Sequence, residues 1–234
     1  MKVFDESIKN TLSLLSSYQK KALSSSRDYP LKKEKVFIFS DEALVSLGAR
    51  GYESSYLTAY TSNGDLVKSD EIYLIGKDIL ELKGNCSFAH IVLLRLEDDD
   101  KKEQELYQML RNIEYERYKM NPVGYMIRVN TNELREGALI SKEAFENNLS
   151  FADIGSLFLK AYKKRPEVKA VNQYFITDPN FDYKSLRALS KSNEGIVVAL
   201  DHIMKKLAMD CNTCSFKSIC DEVEGMREIH KNKF

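Results

Sequence analysis

Apolar side chains near the start of the chain fall at Phe4, Ile8, Leu12, Leu15 and Ala22, spacings that gather on one face of a helix. The serine-rich stretch that follows, closing on Asp28-Tyr-Pro30, ends that helix. Lys35-Val-Phe-Ile-Phe39 reads as a buried strand, and Asp41 is placed to cap a short helix that runs to Leu47 before Gly48. Two apolar runs, 55–62 and Glu71–Ile75, flank Asn63-Gly-Asp65 and predict a β-hairpin. Ile79–Leu82 fits either a short strand or one helical turn. Phe88–Leu96 is the clearest central strand.

The acidic run Asp98–Asp100 suits the positive end of a helix whose face carries Leu106, Met109, Leu110 and Ile113 and which stops near Asn121-Pro122. Tyr125–Val129 returns as a strand. Ser141–Phe145 predicts a short helix. Ser150-Phe-Ala-Asp153 resembles a capping box and opens a longer helix, with Phe151, Ile154, Leu157, Phe158, Ala161 and Tyr162 on one face. Val168–Thr177 is apolar on both faces and predicts an interior strand. The longest helix follows Asp178–Asp182 and carries Leu186, Leu189, Val197, Leu200, Met204 and Leu207, with Gly195 loosening its middle. This order predicts an α+β protein, a mixed β-sheet flanked by helices with a Cys-rich C-terminal tail. Residues 1–234 are expected to form a single domain, with 209–234 as a metal-binding tail.

Lys and Arg total 35, as do Asp and Glu, so no global charge draws the chain to nucleic acid or an anionic membrane. The first residues lack the apolar core of a signal peptide, and no run is long enough to span a bilayer. A cytoplasmic, reducing location is therefore expected, where cysteines serve as thiolate ligands or free thiols.

That expectation gives the tail its interest. Cys211, Cys214 and Cys220 form C-x2-C-x5-C, a spacing that aims three sulfurs at one centre. A 4Fe-4S cluster or a zinc ion wants a fourth donor, for which Cys86 and His230 are the candidates. His90, on an apolar strand, and His202, inside a helix, suit structural roles better. A fully ligated centre of this kind would stabilise the fold and leave no open coordination site.

A second constellation pairs Asp70 with Glu81-Leu-Lys83, the pattern of PD-(D/E)xK nucleases, where two carboxylates hold a divalent cation and the lysine stabilises charge near the attacking water. Combined with the cysteines it offers an alternative, an iron–sulfur nuclease. The balanced charge and the position of Cys86 after the motif count against it. No Gly-rich phosphate loop and no nucleophile–base arrangement is identifiable.

From residue 88 to 178 a series of short motifs runs in a recognisable order: His90-Ile-Val-Leu-Leu-Arg-Leu96, Val123-Gly-Tyr-Met-Ile-Arg128, Ile140-Ser-Lys-Glu-Ala-Phe145, Leu149-Ser-Phe-Ala-Asp-Ile-Gly155, and Val168-Lys-Ala-Val171 with Phe175-Ile-Thr-Asp178. This stretch resembles the middle, non-catalytic domain of acetyl-CoA synthase, the partner of carbon monoxide dehydrogenase in anaerobic one-carbon metabolism. The resemblance implies an accessory or binding role and, as partner, a subunit of that complex. Ser141, Lys142 and Phe145 match a family run that has no catalytic role to pass on. The cysteine sets that hold the synthase's nickel–iron–sulfur site have no counterpart here, so the resemblance does not imply acetyl-CoA synthesis by this chain alone. A catalytic subunit completed by a partner remains the other option.

Overall fold

The computed structural model describes residues 2–97, 103–204, 214–223 and 226. Its centre is a five-stranded sheet in the order β1 (Lys21–Leu23), β4 (Glu71–Ile75), β8 (Val168–Ile176), β5 (Phe88–Leu96) and β3 (Ser54–Thr61). β8 runs parallel to β4 and antiparallel to β5, and β5 runs parallel to β3, so the sheet is mixed. β5 and β8 are buried along nearly their whole length, as expected of interior strands apolar on both faces. Helix α4 (Phe151–Tyr162) opens with the predicted capping box, Ser150 accepting from the Asp153 amide while Asp153 accepts from that of Ser150. It packs on one face of the sheet at Gly155, where a Cβ would lie 2.7 Å from Ile72 Cγ2 and 3.1 Å from Phe175 Cε2. Only a glycine lets the helix backbone come this near.

On the opposite face, α5 (Tyr183–Met204) lies against β3 through the Ser55–Ser190 hydroxyl contact. α1 (Asp5–Ser16) meets β3 through Asp5, which accepts from Thr61 Oγ1. α2 (Glu103–Tyr115) lies near the outer edge of β3, where Tyr60 Oη donates to the Leu110 carbonyl. A second, three-stranded antiparallel sheet is ordered β2 (Ala43–Leu47), β7 (Arg135–Ser141), β6 (Tyr125–Asn130) and leads into the short α3 (Lys142–Glu146). α6 (Lys217–Glu222) lies along α5, with Ile219 over Gly195, so that glycine seats a neighbouring helix in an α5 that continues through it. The α+β class with a mixed sheet and flanking helices is as the sequence predicts.

Several local expectations are overturned. The first helix stops at Ser16, and Ala22 belongs to an edge strand paired with β4. Residues 43–47 form a strand because Val45 and Leu47 alternate with half-exposed Ser46, a period of two that outweighs the capping signal at Asp41. Lys35–Phe39 joins no strand; Ile38 is buried while Phe37 and Phe39 face outward. The hairpin does not form. Its turn chemistry is present, Asn63 Oδ1 accepting from the Asp65 amide, but β3 and β4 lie apart with β5 and β8 between them. All eight residues of β3 are buried, and parallel pairing with β5 covers them as a solvated hairpin would not. Of the two options for Ile79–Leu82 the helical turn is the one that forms, as a 3-10 turn at Ile79–Glu81. Strand β7 forms where the pattern predicts no element before Ser141. The acidic run Asp98–Asp100 and Leu207 lie outside the described residues.

Candidate functional site

Of the predicted metal ligands, Cys211 and His230 lie outside the described residues. Cys214 precedes α6, and its sulfur accepts from the Phe216 amide at 3.4 Å, an N–H···S contact of the kind that steadies a ligating thiolate. Cys220 sits within α6. The Phe216 ring packs on His202, with centroids 4.6 Å apart, which places this region beside the last turns of α5. Cys86 is elsewhere. Its backbone bonds to Ser46 and Gly48, and it adjoins Tyr183 at the opposite end of α5. Gly195 lies 12 helical steps beyond Tyr183 on α5, roughly 18 Å at the rise of an α-helix, whereas the ligands of one metal lie within about 4 Å of one another. Burial also pushes the Cys86 thiol up to about 11. Among the described residues Cys86 therefore lies apart from Cys220. Among the described residues no group of three or more His, Cys, Asp or Glu is arranged to hold a metal ion.

Asp70, Glu81 and Lys83 are not brought together. Asp70 precedes β4, where it accepts from the Val171 amide and pairs with Lys163. Glu81 lies beyond the other end of that strand and accepts from the Asp78 amide in the capping box of the 3-10 turn. A five-residue strand spans roughly 17 Å, too far for two carboxylates to share one cation. Both acids are occupied with holding backbone.

The titratable groups that do converge were not singled out from sequence. Arg117, in a 3-10 turn (Glu116–Lys119) after α2, is fully buried between the two sheets. Its Nη2 lies 2.6 Å from Glu136 Oε2 of β7 and donates to Tyr118 Oη at 2.7 Å. His90 Nδ1 of β5 lies 2.6 Å from Arg117 Nη1 and 3.0 Å from Glu136 Oε1, and its ring stacks on Phe175 at 4.6 Å. Burial pushes the Glu136 carboxyl upward, but Arg117 and His90 outweigh it and hold it below the usual carboxylate range. Burial, joined by the Arg117 charge, depresses His90 and keeps the imidazole neutral. One cation and one anion compensate each other inside the core, a structural tie between the sheets. A charged pair 19 residues apart in sequence, with no periodicity to mark it, leaves no signal in a short window of residues.

What the molecule turns outward is different. Phe37 and Phe39 are 76% and 69% exposed, and Leu44 of β2 is 54% exposed. The segment is anchored: Ile38 is buried with its amide on Met126 Sδ, and the Phe39 amide donates to Glu42. Lys33 and Lys35 precede the pair and are exposed. Among the described residues no helix is long and apolar enough to cross a membrane. No protein-family model matches the chain, and no curated protein matches it.

Proposed function

We propose that this chain is an accessory domain of a larger assembly, one that docks and binds beside a catalytic subunit of anaerobic one-carbon metabolism. The observation that carries the reading is the outward pair Phe37 and Phe39, held on an anchored segment with Leu44 nearby. Two such rings present roughly 300 Å² of apolar surface, on the order of 7 kcal/mol gross if covered, before the entropy of association is deducted. Aromatic residues in that position serve as anchors at protein interfaces. The resemblance over 88–178 supplies the class of partner, a carbon monoxide dehydrogenase or acetyl-CoA synthase subunit.

The tail belongs to the same proposal. Cys211, Cys214 and Cys220 with His230 would hold a 4Fe-4S cluster or zinc, and the bound centre would supply cross-linking of the tail to itself. The N–H···S contact at Cys214 supports that set, and the place of Cys86 near the start of α5 favours His230 over it as the fourth donor.

Anaerobic co-purification of tagged protein tests the docking reading. A dehydrogenase or synthase subunit should be retained by the native chain and lost with Phe37→Ser/Phe39→Ser, whose thermal midpoint should stay unchanged. Retention that ignores both substitutions, or no such subunit in the eluate, overturns it.

A further inference from the structure

The β6–β7 hairpin carries a second feature on the face turned away from the buried Arg117–Glu136 pair. Cross-strand partners Arg128 with Gly137 and Asn130 with Arg135 put both arginines on this one face, while Glu136 between them points into the core. Together with Arg50 from the turn after β2 and Ser54 from β3, they line an open cleft of about 260 Å³. Its floor is close-packed backbone: a Cβ on Gly137 would stand 2.2 Å from the Leu47 carbonyl oxygen, so glycine is what lets the end of β2 come this near to β7.

We infer that this cleft binds a small phosphate-bearing molecule, its anionic group held between Arg50, Arg128 and Arg135. The charge in it is only partly compensated. Arg128 is fixed by donating to Ser46 Oγ at 2.8 Å, and Arg135 by donating to the Tyr52 carbonyl at 2.9 Å; both anchors are neutral oxygens. Arg50 has no ion-pair partner among the described residues. The single acid at the rim, Glu133, is 60% exposed and stands 3.7 Å from Arg135. Burial and the neighbouring Arg135 charge both press on Arg128, lowering its hold on its proton. Like charges lining one cleft are relieved by a shared anion, and planar guanidinium forks match phosphate oxygens two at a time. Three cations against one exposed acid favour a group of charge two or more over a single carboxylate. The volume suits a metabolite-sized ligand, smaller than the groove an acidic protein segment or a nucleic acid strand would need.

Isothermal titration of the full chain with inorganic pyrophosphate, orthophosphate and acetate tests this. Pyrophosphate should bind with one-to-one stoichiometry, tighter than orthophosphate, and acetate should not bind measurably. Arg50→Gln, which breaks no side-chain bond among the described residues, should weaken pyrophosphate at least tenfold, and Arg128→Lys should weaken it while keeping the charge. A control variant, Lys142→Gln/Lys217→Gln, should bind as the native protein does. Equal weakening by the control, affinity unaffected by Arg50→Gln, or no heat from pyrophosphate at millimolar concentration would each overturn the site. The docking reading does not depend on any of these outcomes.

Discussion

Arg117 Nη2 and Glu136 Oε2 stand 2.6 Å apart with side chains 0% and 2% exposed, and they join the turn after α2 to the middle strand of the second sheet. Removing one partner leaves the other charged in a dry interior. Arg117→Met should therefore cost about 3–5 kcal/mol, while Arg117→Met/Glu136→Met should recover most of that loss. Urea unfolding midpoints of the two variants decide it, and a double variant no better than the single one would contradict the pairing.

The same cluster predicts an acid response in two stages. His90 is held below its ordinary value of 6.5 in the fold, so the unfolded chain takes up a proton there that the native state resists. Stability from this group is complete above about pH 6.5 and declines as the pH falls, with a slope of up to about 1.4 kcal/mol per pH unit. Glu136 is held below its ordinary 4.5, so its contribution is complete above that value and is lost on further acidification. Urea midpoints from pH 8 to 4 should bend near 6.5 and again near 4.5. His90→Gln should remove the upper bend alone.

Metal content separates the thiols. Anaerobically prepared protein analysed for iron, sulfide and zinc should lose its metal with Cys214→Ser or Cys220→Ser and keep it with Cys86→Ser. Loss of metal on replacing Cys86 would return that residue to the ligand set. His230→Ala should lower the content if the tail closes its own shell.

Asp78 is the anchor that the nuclease pattern overlooks. Its Oδ1 accepts from the Ile79 amide at 2.7 Å and from the Phe151 amide at 2.8 Å, tying the 3-10 turn to the start of α4. Asp78→Ala should cost about 1–2 kcal/mol, visible as a lowered thermal midpoint. Glu81→Gln, which keeps an acceptor for the Asp78 amide, should cost less.

Local patterning was enough to find α4, α5 and the two interior strands. Each carries many apolar residues at one clear period, and α4 adds a cap whose partners are three residues apart. It misread 35–47, where Phe37 and Phe39 carry a strand's composition while only Ile38 meets the core. Strand β7 escaped because its charged residues, Arg135 and Glu136, broke the apolar run, and each is stabilised by groups distant in the chain.

By itself the sequence determined the α+β class, the main helices and strands, and the clustering of three thiols in the tail, because these depend on neighbours a few residues apart. Only the tertiary structure decided that β3 and β4 part company, that Cys86 sits at the far end of α5 from the tail helix, and that Arg117 finds Glu136. Those outcomes depend on which buried surfaces cover one another and where a buried charge finds its counter-charge. Such energies belong to the assembled core, and no short window of residues contains them.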